Sequence, residues 1–200
     1  MRNREVYCPP NCAEWISLEG DIDETALPKL VAALEHLEGP RPLVLSSRGG
    51  DLDSAIALGR FVRERQLDVI IGRTISQECQ TGRSEPRLCE DETYVFEVGQ
   101  VDTAGVKPLC TSVCPFVLAG GIQRVVDDSI SIHLDSLASL PRAPAAGKKK
   151  ARQPAEPLLA SYLEEMGVSP HLLLAAPKSA GTSAFMSARA LLQVKLATQN

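Results

Sequence analysis

Between residues 15 and 71 short apolar runs alternate with stretches of helical periodicity, and this alternation limits the chain to few folds. Trp15-Ile16-Ser17-Leu18 reads as a short strand, followed by the acidic turn Glu19-Gly20-Asp21. From Glu24 to Leu37 the residues Leu27, Leu30, Val31, Leu34 and Leu37 recur at helical spacing, and Gly39-Pro40 stops the helix. Leu43-Val44-Leu45 is long enough only for a buried strand. A second helix is expected from about Asp51 to Gln66, with Leu52, Ile56, Gly59 and Val62 on one face and Asp51 or Asp53 at its start. Leu67 to Ile71 supplies another buried strand. Strand, helix, strand, helix, strand in this order implies an α/β fold with a right-handed, mostly parallel sheet flanked by helices.

Beyond Ile71 the pattern loosens. From about 76 to 107 the periodicity fails, and the segment, which holds the short β-like run Tyr94-Val95-Phe96, reads as an excursion from the parallel core, a hairpin tied by Cys79–Cys89. A helix follows Ser112 and ends at Gly120-Gly121. Gln123 to Val126 and Ile130 to His133 alternate as strands, with Asp127-Asp128 as the turn. The stretch 136–157 is rich in Pro, Ala and Lys and reads as a mobile loop, its Lys148-Lys149-Lys150 run solvated. Leu158 to Met166 is helical, Ser169-Pro170 opens another helix, and Phe185 to Leu196 reads as a last amphipathic helix. There is no internal repeat, and the 200 residues are expected to form a single domain.

Charge and cysteines narrow the setting. A formal charge of -4 argues against a nucleic-acid partner, which calls for a basic face. No apolar run is long enough to span a membrane, and no secretory signal is visible after Met1. The six cysteines, however, fall in close pairs: Cys8 with Cys12, Cys79 with Cys89, and Cys110 with Cys114. Even, local pairing favours disulfides and an oxidising compartment. The expectation is therefore an exported, periplasmic protein whose signal or membrane anchor lies outside this chain. Zinc is the rival for the C-x-x-x-C pairs, although their spacing is not that of a zinc knuckle, and no metal or other cofactor is expected.

The chemistry concentrates around Cys110-Thr111-Ser112-Val113-Cys114. Ser112 stands where the chain turns into a helix. There its hydroxyl and the next backbone N–H can face one point, as a nucleophile and oxyanion donor must. The plain alternative is a helix N-cap. His133, at a strand end, could act as general base, or be structural. Gly49-Gly50 could bring a bare backbone N–H to the same oxygen as the Val113 N–H, or be only a turn.

In this order the elements resemble the ClpP-like branch of the ClpP/crotonase superfamily, and most closely the predicted periplasmic ClpP-like proteins. The strand and turn Ile16 to Asp23 are similar to that family's first strand and turn. Leu43 to Leu52, with Ser46-Ser47-Arg48-Gly49-Gly50-Asp51, is similar to its strand followed by Asn-Ser-Pro-Gly-Gly-Ser-Val. Ser112 and the apolar segment to Gly120 resemble the nucleophile helix. Ile130-Ser131-Ile132-His133 resembles the strand bearing the catalytic histidine, and Phe185-Met186-Ser187-Ala188 the late Phe-Leu-Ser element. The resemblance covers roughly residues 15–198, and the Cys-x-Ser-x-Cys form around Ser112 resembles the periplasmic branch.

The resemblance implies a spiral of β-β-α units and hydrolysis of a peptide or protein substrate by a Ser112–His133 dyad. It implies an oxyanion hole from the Gly50 and Val113 N–H groups, and assembly into homo-oligomers. One departure matters: the family's acid before the Phe-Leu-Ser element is missing. Ser183, Thr182 or Asp135 is left to orient His133. Arg48, in place of the family's proline, is either a reader of substrate carboxylates or a surface cation. Cys114, if bridged to Cys110, would pin the turn at Ser112; if reduced, it could itself be a nucleophile. The alternatives are a catalytically degenerate ClpP-like binding or assembly module of the cell envelope, and an acyl-CoA enzyme of the crotonase type, disfavoured because an oxidising compartment lacks CoA.

Overall fold

The computed structural model describes residues 15–35, 37, 41–76, 94–97, 107–142 and 154–199. Strands β1 (Ile16–Glu19), β2 (Leu43–Ser46), β3 (Val69–Ile71) and β6 (Arg124–Val125) form a parallel sheet in the order β1-β2-β3-β6. Helix α1 (Ala26–Glu35) links the first two strands, and α2 (Leu52–Glu64) links β2 to β3. All four residues of β2 are buried, as a central strand of a covered parallel sheet requires. The period-two alternation divides the sheet residues between its faces. Leu43, Leu45, Val69 and Ile71 join the main core, while Val44 and Ile70 form a small cluster with Trp15 and Val125 on the other face.

Helix α3 (Cys114–Gly120), buried along its whole length, packs beneath α2. The two helices approach so closely that a Cβ on Gly120 would stand 2.2 Å from the Gly59 carbonyl oxygen. A Cβ on Gly59 would lie 1.9 Å from the Tyr162 hydroxyl and 2.8 Å from the Phe116 carbonyl oxygen. Tyr162, on α4 (Ala155–Glu165), donates its hydroxyl to that carbonyl at 2.6 Å, and burial pushes its phenol pKa well above the usual value. The sheet's far edge is closed by Arg124. Its buried guanidinium donates to the carbonyls of Gly121, Lys195 and Leu196 at 2.7, 2.8 and 3.1 Å. Burial, with Arg63 nearby, pushes it down to about 10, so it is still charged at neutral pH.

Several expectations are corrected. Phe185 and Met186 do not open the last helix but belong to strand β8 (Ser183–Met186), antiparallel to β7 (Ile132–Asp135). The helix, α5 (Ala188–Gln193), begins only after Ser187, whose hydroxyl accepts from the Ala190 N–H at 3.4 Å. β6 and β7 are not paired with each other across the Asp127-Asp128 turn: β6 completes the main sheet and β7 leaves it. Helix α4 starts at Ala155, three residues before the expected Leu158.

The loop expected to be mobile from 136 to 157 is anchored over residues 136–142 and is helical from Ala155. Ser136 and Leu140 are buried, the Pro141 carbonyl accepts from the Leu52 N–H at 2.9 Å, and Arg142 pairs with Asp53. Residues 143–153, with the lysine run, lie outside the described residues. Of the excursion at 76–107, β4 (Arg73–Ser76) and β5 (Tyr94–Glu97) pair antiparallel, as the arms of a hairpin would. Cys79 and Cys89 lie outside the described residues, as do Cys8 and Cys12. Among the described residues no helix is long and apolar enough to cross a membrane.

Candidate active site

The site is assembled where β2 leaves the sheet. After Ser46 the chain turns through Gly49 and Gly50, whose φ angles of 113° and 143° are open only to glycine at low cost. The turn is clamped to the acidic turn after β1. Ile22 N–H donates to the Gly49 carbonyl and Asp51 N–H to the Ile22 carbonyl, both at 2.8 Å. The approach leaves no room for a side chain, since a Cβ on Gly50 would stand 2.1 Å from the Ile22 oxygen. Asp51 then caps α2, its carboxylate accepting from the Asp53 and Ser54 N–H groups. Asp53, the other candidate cap, pairs instead with Arg142.

Residues 109–111 run between this turn and β7. Ser47 N–H donates to the Leu109 carbonyl at 2.7 Å, Thr111 N–H to the Ser47 carbonyl at 3.1 Å, and His133 N–H to the Cys110 carbonyl at 3.0 Å. These bonds bring the glycine turn, Ser112 and His133 to one end of the sheet. Thr111 strengthens the junction by donating its hydroxyl to the Arg48 carbonyl at 2.7 Å.

Ser112 sits in the left-handed region, φ 60°, immediately before α3. It is not the N-cap. That position belongs to Val113, which has no side-chain cap bond, with Pro115 in the first turn. The Ser112 hydroxyl has no hydrogen-bond partner among the described residues. Its neighbour is Gly49: a Cβ there would lie 2.4 Å from the Ser112 Cβ and 3.0 Å from its Oγ. Among the described residues, nothing accepts from the Gly50 or Val113 N–H. A positive-φ serine against a glycine turn, with such donors nearby, is an arrangement suited to nucleophilic attack and anion stabilisation.

A disulfide joins Cys110 to Cys114 and spans this turn; both residues are fully buried. Bridged, Cys114 is neither a nucleophile nor a zinc ligand. Among the described residues no cluster of His, Cys, Asp and Glu could hold a metal.

His133, half-buried on β7, follows Ile132, which bridges to Cys110. No hydrogen bond joins its ring to Ser112. The ring instead packs against Phe185, with centroids 4.1 Å apart and planes tilted by 57°. Both line a cavity of about 210 Å³ together with Lys107, Leu109 and Ile130. None of the three expected orienters hydrogen-bonds to the ring. Ser183 donates its hydroxyl to the Asp135 carboxylate across the strand pair, and Thr182 donates to the Ser179 carbonyl. Arg48 is largely exposed and only loosely paired with Asp21, at 3.8 Å. The ring contact of Phe185 is not legible from sequence, because it depends on the pairing of β8 with β7. The sequence signals only where the last helix starts, with the apolar pair Phe185-Met186 just ahead of the helix-capping Ser187.

No protein-family model matches the chain, and no curated protein matches it by sequence. Among solved structures, the ClpP protease catalytic domain from Plasmodium falciparum is similar to it. The TM-score is 0.54 and the identity 14%, over 92% of this chain and 82% of that one. The fold is ClpP-like. The parallel sheet flanked by helices is part of that likeness.

Proposed function

We propose that this ClpP-like chain is a serine peptidase or related acyl hydrolase, exported to an oxidising compartment such as the periplasm and working as a homo-oligomer on peptide or protein substrates. Ser112 is the nucleophile, His133 the general base, and the Gly50 and Val113 N–H groups the oxyanion hole. In this reading the Ser112 Oγ attacks the substrate carbonyl as its proton passes to His133. His133 then protonates the leaving amine, and a water molecule deacylates the serine by the reverse proton path. The observation that carries the reading is Ser112 itself, a positive-φ serine without a capping role, pressed on a glycine turn. The unmade bond to His133 is compatible with it, because such bonds are commonly long without substrate and close in the complex. Loss of the orienting acid lowers turnover by about four orders of magnitude in a well-studied triad without removing the remaining machinery.

A fluorophosphonate probe tests this directly. Ser112 should be labelled in the folded protein, Ser112→Ala should abolish labelling, and His133→Ala should slow it. Folded protein that takes no probe from neutral to mildly alkaline pH would sink the proposal. The second reading, a degenerate ClpP-like binding or assembly module, is favoured by the same unmade bond and by the absence of any carboxylate on the ring among the described residues. It predicts no labelling, and binding unchanged in Ser112→Ala.

A further inference from the structure

We propose, on the Ser112–His133 reading above, that Phe185 is a positioning residue whose ring holds the orientation of the His133 imidazole, one of the two tasks an acidic partner has in a full triad. The argument begins by elimination. Asp135 and Ser183 bond each other, Thr182 bonds its own turn, and the ring of His133 has no hydrogen-bond partner among the described residues. What the ring does have is a phenyl group 4.1 Å away.

That contact is set by strand register. His133 lies directly opposite Phe185 in the β7–β8 pair, where facing side chains stand closest. The register is held on one side by Ile132 opposite Met186, both buried, and on the other by the Asp135–Ser183 bond. Slipping it by one residue would put Met186 into solvent and Phe185 into the core. The Asp135–Ser183 pair therefore acts on the histidine at one remove, by keeping Phe185 in place.

Nor is Phe185 explained by burial. It is 70% exposed, an unusual setting for a phenyl group whose chain neighbour Met186 is 6% exposed. A tilted aromatic contact of this kind restricts the sweep of the imidazole about its own side-chain bonds. It leaves the ring tautomer unset, unlike a carboxylate, which fixes both orientation and tautomer.

The experiment compares Phe185→Ala, Phe185→Leu and Phe185→Tyr by three readouts: rate of fluorophosphonate labelling, thermal unfolding, and NMR signals of the His133 ring and side chain in a Ser112→Ala background. Phe185→Ala and Phe185→Leu should slow labelling by about tenfold, the worth of an aromatic pair. Phe185→Tyr should keep the wild-type rate. Unfolding temperatures should fall by a few degrees at most, since the side chain is exposed and only the ring contact is lost. In Phe185→Ala the His133 ring protons should lose their ring-current shift and its side-chain couplings should average over rotamers. Labelling that is unchanged or faster in Phe185→Ala overturns the proposal. So does slowing that merely tracks a lower unfolding temperature, with no rescue by tyrosine. If the wild-type serine takes no probe at all, the hydrolase reading fails separately. The NMR couplings then decide, and a His133 side chain that stays in one rotamer without Phe185 rules out positioning.

Discussion

At Ser112 the backbone holds a conformation that costs a residue with a Cβ about 1–2 kcal/mol. Glycine would adopt φ 60° freely, yet glycine has no hydroxyl. Keeping serine in a strained turn, with no cap bond to justify it, is the pattern found where strain serves a site. The prediction is a comparison of two variants that lack the hydroxyl. Ser112→Ala keeps the strain, whereas Ser112→Gly removes it but enlarges the unfolded ensemble, a loss of about 0.4–1 kcal/mol. Ser112→Gly should therefore be at least as stable as Ser112→Ala, by up to about 1.5 kcal/mol in urea unfolding. An alanine variant clearly more stable than the glycine variant would mean that Ser112 is not held in the left-handed region. The neighbouring contact gives a companion test. Gly49→Ala must place a methyl 2.4 Å from the Ser112 Cβ at φ 113°, so it should both destabilise the fold and suppress labelling.

Among the elements, the contact between α2 and α3 sets the position of the Ser112 turn, because α3 starts directly after it. Gly59, Gly120 and Tyr162 form that contact. Gly59→Ala forces a methyl into the Tyr162 hydroxyl and the Phe116 carbonyl, and overpacking of this kind costs about 1–3 kcal/mol. Tyr162→Phe removes the donor from a buried carbonyl and should cost about 1–3 kcal/mol. The double variant should cost less than the two losses added, since removal of the hydroxyl makes room for the methyl. Chemical denaturation of the three proteins checks this. Gly59 was readable as part of the α2 face, since helical spacing puts it with Leu52, Ile56 and Val62. Its reason for being glycine was not, because Tyr162 arrives from more than a hundred residues away. The same split runs through the chain. β1 to β3 and their helices are legible because their pattern is local, with β2 and β3 buried on both faces. β8 is not, because four residues, half of them exposed, are a strand only by pairing with β7. At the site, Ser112, His133 and the glycine pair were each readable as candidates. That Phe185, and no acid, meets the imidazole depends on a cross-strand register that no local pattern encodes.

For the molecule as a whole, the one described disulfide ties the Ser112 turn to the redox state of its surroundings. Cys110 belongs to the strand-like segment between the glycine turn and β7, and Cys114 is the first residue of α3. The bridge therefore joins sheet to helix across Thr111-Ser112-Val113, the stretch in which the strain is stored. A loop this short contributes about 2 kcal/mol through the unfolded chain, and in the native state the bridge opposes relaxation of the turn. Reduction should lower the unfolding free energy by about that amount and slow Ser112 labelling, each broken bridge adding a pair of hydrogens to the intact mass. Cys110→Ala/Cys114→Ala should reproduce both effects without reductant, which separates this bridge from any formed by the other cysteines. Because both sulfurs are buried, a dithiol should act slowly on the folded protein and quickly once it is partly unfolded. If the bridge is part of what shapes the site, the folded protein is suited to compartments where thiols are oxidised. Equal stability and equal labelling of the oxidised, reduced and double-alanine forms would remove that argument for export and leave the bridge without a role in shaping the site.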